Sequence, residues 1–90
     1  MEEMEKLRRE ISDVDAALVP LLLRRMEISG RIGAYKRARA IPVRDEAREQ
    51  AVLECVATQA GAEMGEYLRE IYLAIMAASR RYQSDRKDGT

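Results

Sequence analysis

Apolar side chains recur along the first third of the chain at Met4, Leu7, Ile11, Val14, Leu18, Leu21, Ile28, Ile32 and Tyr35. The steps alternate between three and four residues, and the one position that breaks the apolar series while keeping its register is Arg25. A seam of this kind belongs to a helix that lies along another helix. It predicts a single long helix over about residues 3–38. Pro20 lies inside that span, where a proline removes a hydrogen bond or kinks the helix at a cost of roughly 3 kcal/mol. The seam nevertheless keeps its register on both sides of it. Gly30 and Gly33 weaken the helix slightly and permit close packing.

The stretch "ARAIPVRD" ends this element, with Ala40 ahead of Ile41 and Pro42, and Asp45 is placed to cap or enter a second helix of about residues 44–58. Its apolar stripe contains Val52, Leu53 and Val56. "TQAGAEMGE", with two glycines, reads as a connector. A third helix, roughly residues 65–83, carries Leu68, Ile71, Tyr72 and Ile75. The remaining "SDRKDGT" reads as a frayed polar tail. The fold class is therefore all-α, three helices per chain, one long and two shorter. The whole of residues 1–90 is read as one domain with an ordered core of about 4–83.

A helix of that length spans on the order of 54 Å at about 1.5 Å per residue, twice the width of a globule of this size. One short chain cannot cover it. An intertwined helical homodimer, with the two long helices against each other, is the economical solution.

Composition narrows the function. Lys plus Arg and Asp plus Glu number 16 each, so no net charge draws the chain onto nucleic acid or an anionic membrane. The polar start and the short apolar run "AALVPLLL" give neither a signal peptide nor a membrane span, and a soluble cytoplasmic protein is expected. With no histidine and one cysteine, no metal site and no cofactor are expected. Cys55 cannot pair within the chain and has no histidine to activate it, so it is read as a small buried apolar residue.

What remains is a set of polar residues in apolar register. Arg25 sits in the seam, and Lys36 lies only about 20° around the helix from it at 100° per residue. Stepping back from Val52 by threes and fours meets Glu49, Arg48 and Asp45; the third stripe runs on into Ser79 and Gln83. Each has an ordinary reading: stripe ends are wet, Asp45 can be a cap, and Arg48 can pair with it. Together they are costly unless paired or serving a site. Arginines, a lysine, a hydroxyl and an amide suit a small dicarboxylate. No nucleophile–base pair or carboxylate dyad is in view, so the chemistry should need positioning and charge stabilisation alone.

Three segments, "LRREISDVDAALVPLLLRRMEISGRIGAYK", "PVRDEARE" and "SRRYQ", resemble in order the all-helical AroQ-type chorismate mutases, over about residues 4–83. The resemblance implies a homodimer with two shared sites that rearranges chorismate to prephenate in phenylalanine and tyrosine biosynthesis, without a cofactor. It implies that Arg8 reaches into the partner protomer's site, and that Arg25, Lys36, Asp45, Arg48, Glu49, Ser79 and Gln83 fall on the family's remaining substrate-binding positions. Lys36, Gln83, Arg25 and Glu49 would be the catalytic ones. Geometry agrees on Arg8: it is seventeen residues from Arg25, about 26 Å along a helix, too far for both to grip one small ligand from the same chain.

Two rivals stand beside this reading. An isochorismate-pyruvate lyase shares the fold, but the Arg48–Glu49 step looks more like the mutases. A non-catalytic helical dimerisation module explains the seam and leaves Arg25, Lys36, Arg48 and Gln83 as coincidences. A separate pathway enzyme as partner stays open.

Overall fold

A computed structural model of the chain describes residues 2–86. It contains three helices, α1 (Glu2–Ala38), α2 (Glu46–Ala60) and α3 (Gly65–Asp85), and no strand among the described residues. The long first helix is present as one element through Pro20. Every residue from 2 to 21 is exposed, so the Ala16 carbonyl that Pro20 leaves without a donor is open to water rather than buried. Ser84 and Asp85, expected in a frayed tail, complete α3, and Arg86 follows as its C-cap; residues 87–90 of that expected tail lie outside the described residues.

The turn after α1 explains why the helix stops where it does. Ile41 N–H donates to the Lys36 carbonyl at 2.8 Å and Ala40 N–H to the Arg37 carbonyl at 3.2 Å. This pair of backward bonds closes a helix around a left-handed residue, here Ala40 at φ 55°. Glycine is the usual occupant, and an alanine there carries about 1–2 kcal/mol of steric cost. Pro42, two residues on, cannot continue the helix. Asp45 then caps α2: its backbone is extended and Oδ1 accepts from Arg48 N–H at 3.0 Å. At the far end, Gly61 at φ 90° turns the chain, and its N–H bonds the Ala57 and Thr58 carbonyls.

α3 packs against both other helices, while α1 and α2 do not pack on each other. The molecule is accordingly a slab, 55 × 31 × 14 Å. Leu53 and Met76 are the only buried apolar side chains of the described core. At roughly 1.5–3 kcal/mol for each fully buried side chain, that core is too small to carry a long helix.

α1 presents two faces. Toward α3 it offers Leu22, Met26, Ser29, Gly30 and Gly33, of which Ser29, Gly30 and Gly33 are buried. A Cβ placed on Gly33 would lie 2.9 Å from Gln83 Cγ, so the glycine sets how closely α3 approaches. The seam of long aliphatics points elsewhere: Met4, Leu7, Ile11, Val14, Leu18, Leu21, Ile28, Ile32 and Tyr35 are all exposed. On α3, Ile71 is exposed, correcting its place in the stripe, and Met76 takes the inward position. Cys55 is likewise exposed rather than buried, because it lies about 200° around α2 from Leu53; its Sγ accepts from Gln59 Nε2 at 3.3 Å.

Candidate active site

Because α1 and α2 flank α3 without meeting, a cleft opens between them with α3 as its floor. It is a cavity of about 270 Å³. Ile28, Ser29, Ile32, Arg25 and Lys36 line it from α1, Val43 and Asp45 from the connection, Arg48, Glu49 and Val52 from α2, and Met76, Ser79, Arg80 and Gln83 from α3. Seven of the eight expected residues are thus brought together: Arg25, Lys36, Asp45, Arg48, Glu49, Ser79 and Gln83. Arg8 is not among them. It sits on the exposed N-terminal half of α1, in a shallow hollow with Lys6, Arg9 and Asp13.

The side chains are held by one another. Arg25 Nη1 donates to Ser79 Oγ at 3.2 Å, and its guanidinium lies 5.4 Å from the centroid of the Tyr72 ring. Ser79 is buried, and its hydroxyl also approaches Met26 Sδ at 3.6 Å. Lys36 is fixed at both ends by the helix-closing turn: its carbonyl accepts Ile41 N–H, and its Nζ donates to the Val43 carbonyl at 2.8 Å. An ammonium carries three protons, so two remain for a ligand.

Gln83 is 7% exposed. Its Nε2 donates to Ser29 Oγ at 2.8 Å, which uses one of its two amide hydrogens. Oε1 has no partner among the described residues. Glu49 accepts from Arg80 Nη1 at 2.5 Å through Oε2, joining α2 to α3 across the cavity wall. Arg48 is exposed and its guanidinium meets no partner among the described residues. Asp45 is occupied as a cap, so its carboxylate serves first to start α2 and only secondarily faces the cavity.

Two polar residues escaped the sequence reading. Ser29 lies one position past the seam residue Ile28, on the small-residue face that long aliphatics obscure. Arg80 lies four residues after Met76 and three before Gln83, the same 3–4 step that marked Gln83; taking the α3 stripe from Met76 instead of Ile75 would have found it.

Counted over the wall, four cationic side chains (Arg25, Lys36, Arg48, Arg80) face two anionic ones (Asp45, Glu49), a balance of two positive charges. Such a cavity attracts a small dianion and can stabilise negative charge that grows within it. Among the described residues there is no cluster of histidine, cysteine, aspartate and glutamate able to hold a metal, and no helix long and apolar enough to cross a membrane.

No curated protein and no solved structure matches the chain. The pattern of residues 7–84, by contrast, matches that of chorismate mutase type II, and the chain, with helices as the regular structure of its described residues, belongs to that family.

Proposed function

We propose that the protein is a chorismate mutase, converting chorismate to prephenate on the route to phenylalanine and tyrosine. The observation that carries this reading is the convergence of Arg25, Lys36, Arg48, Glu49, Ser79 and Gln83 on one cavity with a surplus of two positive charges, matched to a substrate with two carboxylates. The rearrangement needs no external nucleophile or base. It needs the substrate folded into the compact conformer in which the new carbon–carbon bond can form, and donors where charge develops.

In this reading Arg25 and Arg48 hold the carboxylates, Ser79 steadies Arg25, and Glu49 accepts the ring hydroxyl. Negative charge grows on the ether oxygen as its bond to carbon breaks, and Lys36 and the second amide hydrogen of Gln83 are the donors directed there. The third carboxylate ligand is Arg8 from a second copy. The exposed seam on α1 supports a homodimer, since nine large apolar residues in one stripe seldom stay wet. Ile28 and Ile32 belong both to that seam and to the cavity wall, so a partner helix on the seam would also close the cavity.

The test is the loss of chorismate absorbance with purified protein, wild type beside Lys36→Ala, with the product identified. Prephenate from the wild type and a rate lowered by roughly 10²–10³-fold in the variant are expected. Pyruvate with salicylate or 4-hydroxybenzoate would instead indicate a lyase. A folded dimer without turnover would leave a dimerisation module.

A further inference from the structure

The ion pair between Arg80 and Glu49 is the shortest side-chain contact among the described residues, and the only salt bridge there that joins two helices. Both partners are largely withdrawn from water, with side chains 28% and 17% exposed, and both line the cavity. The other salt bridge among the described residues, Arg44–Glu46, lies in solvent at 58% and 79% exposure, and neither partner lines the cavity. An exposed pair of that kind contributes little; a half-buried pair on a cavity wall acts on whatever enters.

A carboxylate in a cavity built for a dianion has a difficulty of its own. Glu49 repels the ligand's charges, and the ligand repels Glu49 toward solvent. Arg80 answers both. It engages Oε2 with Nη1, which neutralises Glu49 locally and fixes its rotamer, while Oε1 stays free to accept a hydroxyl. Without Arg80 the surplus on the wall falls from two positive charges to one. The side-chain contact of the guanidinium is with Glu49, so that carboxylate is the group Arg80 positions.

We infer that Arg80 is a positioning residue of the active site, holding Glu49 in place and aimed so that it recognises the substrate's ring hydroxyl; this rests on the mutase reading given above. Arg80 is therefore a determinant of specificity for a hydroxyl-bearing ring and not only a tie between α2 and α3.

A double-mutant cycle on the full chain tests it: wild type, Arg80→Met, Glu49→Gln and the double variant, each with kcat, KM and Tm, together with Arg80→Lys. Groups in direct contact couple, so Arg80→Met should lower kcat/KM by roughly tenfold or more in the presence of Glu49 and by less than about threefold once Glu49 is glutamine. Arg80→Lys should recover part of the loss, because charge returns without the planar fork. Equal losses in both backgrounds, or Arg80→Met at the wild-type kcat/KM, would overturn the assignment. Should Arg80→Met fail to fold, Arg80→Lys with and without Glu49→Gln makes the same comparison. A wild type that does not turn over chorismate removes the mutase reading and this one with it, whereas an active wild type insensitive to Arg80 removes this one alone.

Discussion

Gly33→Ala is a small change with a calculable reach. The added Cβ would stand 2.9 Å from Gln83 Cγ, 3.0 Å from its Cβ and 3.4 Å from its Cα. Carbon atoms rest at about 3.5–4.0 Å, so α3 must retreat at Gln83 by roughly 0.5–1 Å. Overpacking of this kind costs about 1–3 kcal/mol, while replacing a helical glycine by alanine returns about 1 kcal/mol. The net loss is therefore at most about 2 kcal/mol, a fall in Tm of no more than roughly 15 °C for a domain of this size. Catalysis should suffer more, since a donor displaced by about 1 Å can cost on the order of 10²-fold. Gly30→Ala is the comparison: its Cβ would meet Arg86 Nη1 at 2.5 Å and the Tyr82 ring at 3.0 Å, and its three nearest atoms include none of Gln83. The assay is chorismate consumption well below the Tm of each variant. We expect kcat down by roughly 10- to 100-fold for Gly33→Ala and within about threefold of wild type for Gly30→Ala. Wild-type kcat in Gly33→Ala, or equal losses in the two variants, would refute the claim that this glycine positions Gln83 for catalysis.

Two further outcomes follow from the site. An amide does not titrate and the chain has no histidine, so the rate should be flat between about pH 5 and 8, measured in buffers of constant ionic strength. Gln83→Glu should instead lose activity as pH rises, because a carboxyl donates a hydrogen bond only while protonated; a flat profile for that variant would remove position 83 from the ether oxygen. If Arg8 acts across a dimer, mixing inactive Arg8→Ala with inactive Lys36→Ala and allowing exchange should restore about a quarter of wild-type activity, as half the dimers would be mixed and half their sites intact. No recovery after demonstrated exchange would place Arg8 outside the site.

The seam of α1 was legible because long aliphatics at alternating steps of three and four are a strong signal, and the helix runs through Pro20 because the carbonyl left without a donor there is exposed to water. The same strength hid the second face of α1. Ser29, Gly30 and Gly33 carry little hydrophobic signal, yet they make the contact with α3. Arg25, Lys36, Glu49 and Gln83 stood out because charge and amide groups in apolar register are costly without a purpose. Arg80 did not, since a charge beside another charge in "SRRYQ" looks like a solvated face until its partner across α2 is known. Cys55 was misread for a related reason: composition speaks for a buried thiol, but the direction of the α2 stripe turns it outward.

The placement of α3 between two helices that never touch also divides its contacts into near and distant ones along the chain. α2 and α3 follow one another through a short connection, so their hairpin closes a small loop and can form early. The contacts that fix α1 come from much farther along the chain: Arg25 with Ser79 and Ser29 with Gln83 each span 54 residues. One wall of the cavity belongs to that hairpin and the other to α1. The cavity therefore exists only where α1 is docked on that hairpin, and a ligand that fills it stabilises the docked arrangement.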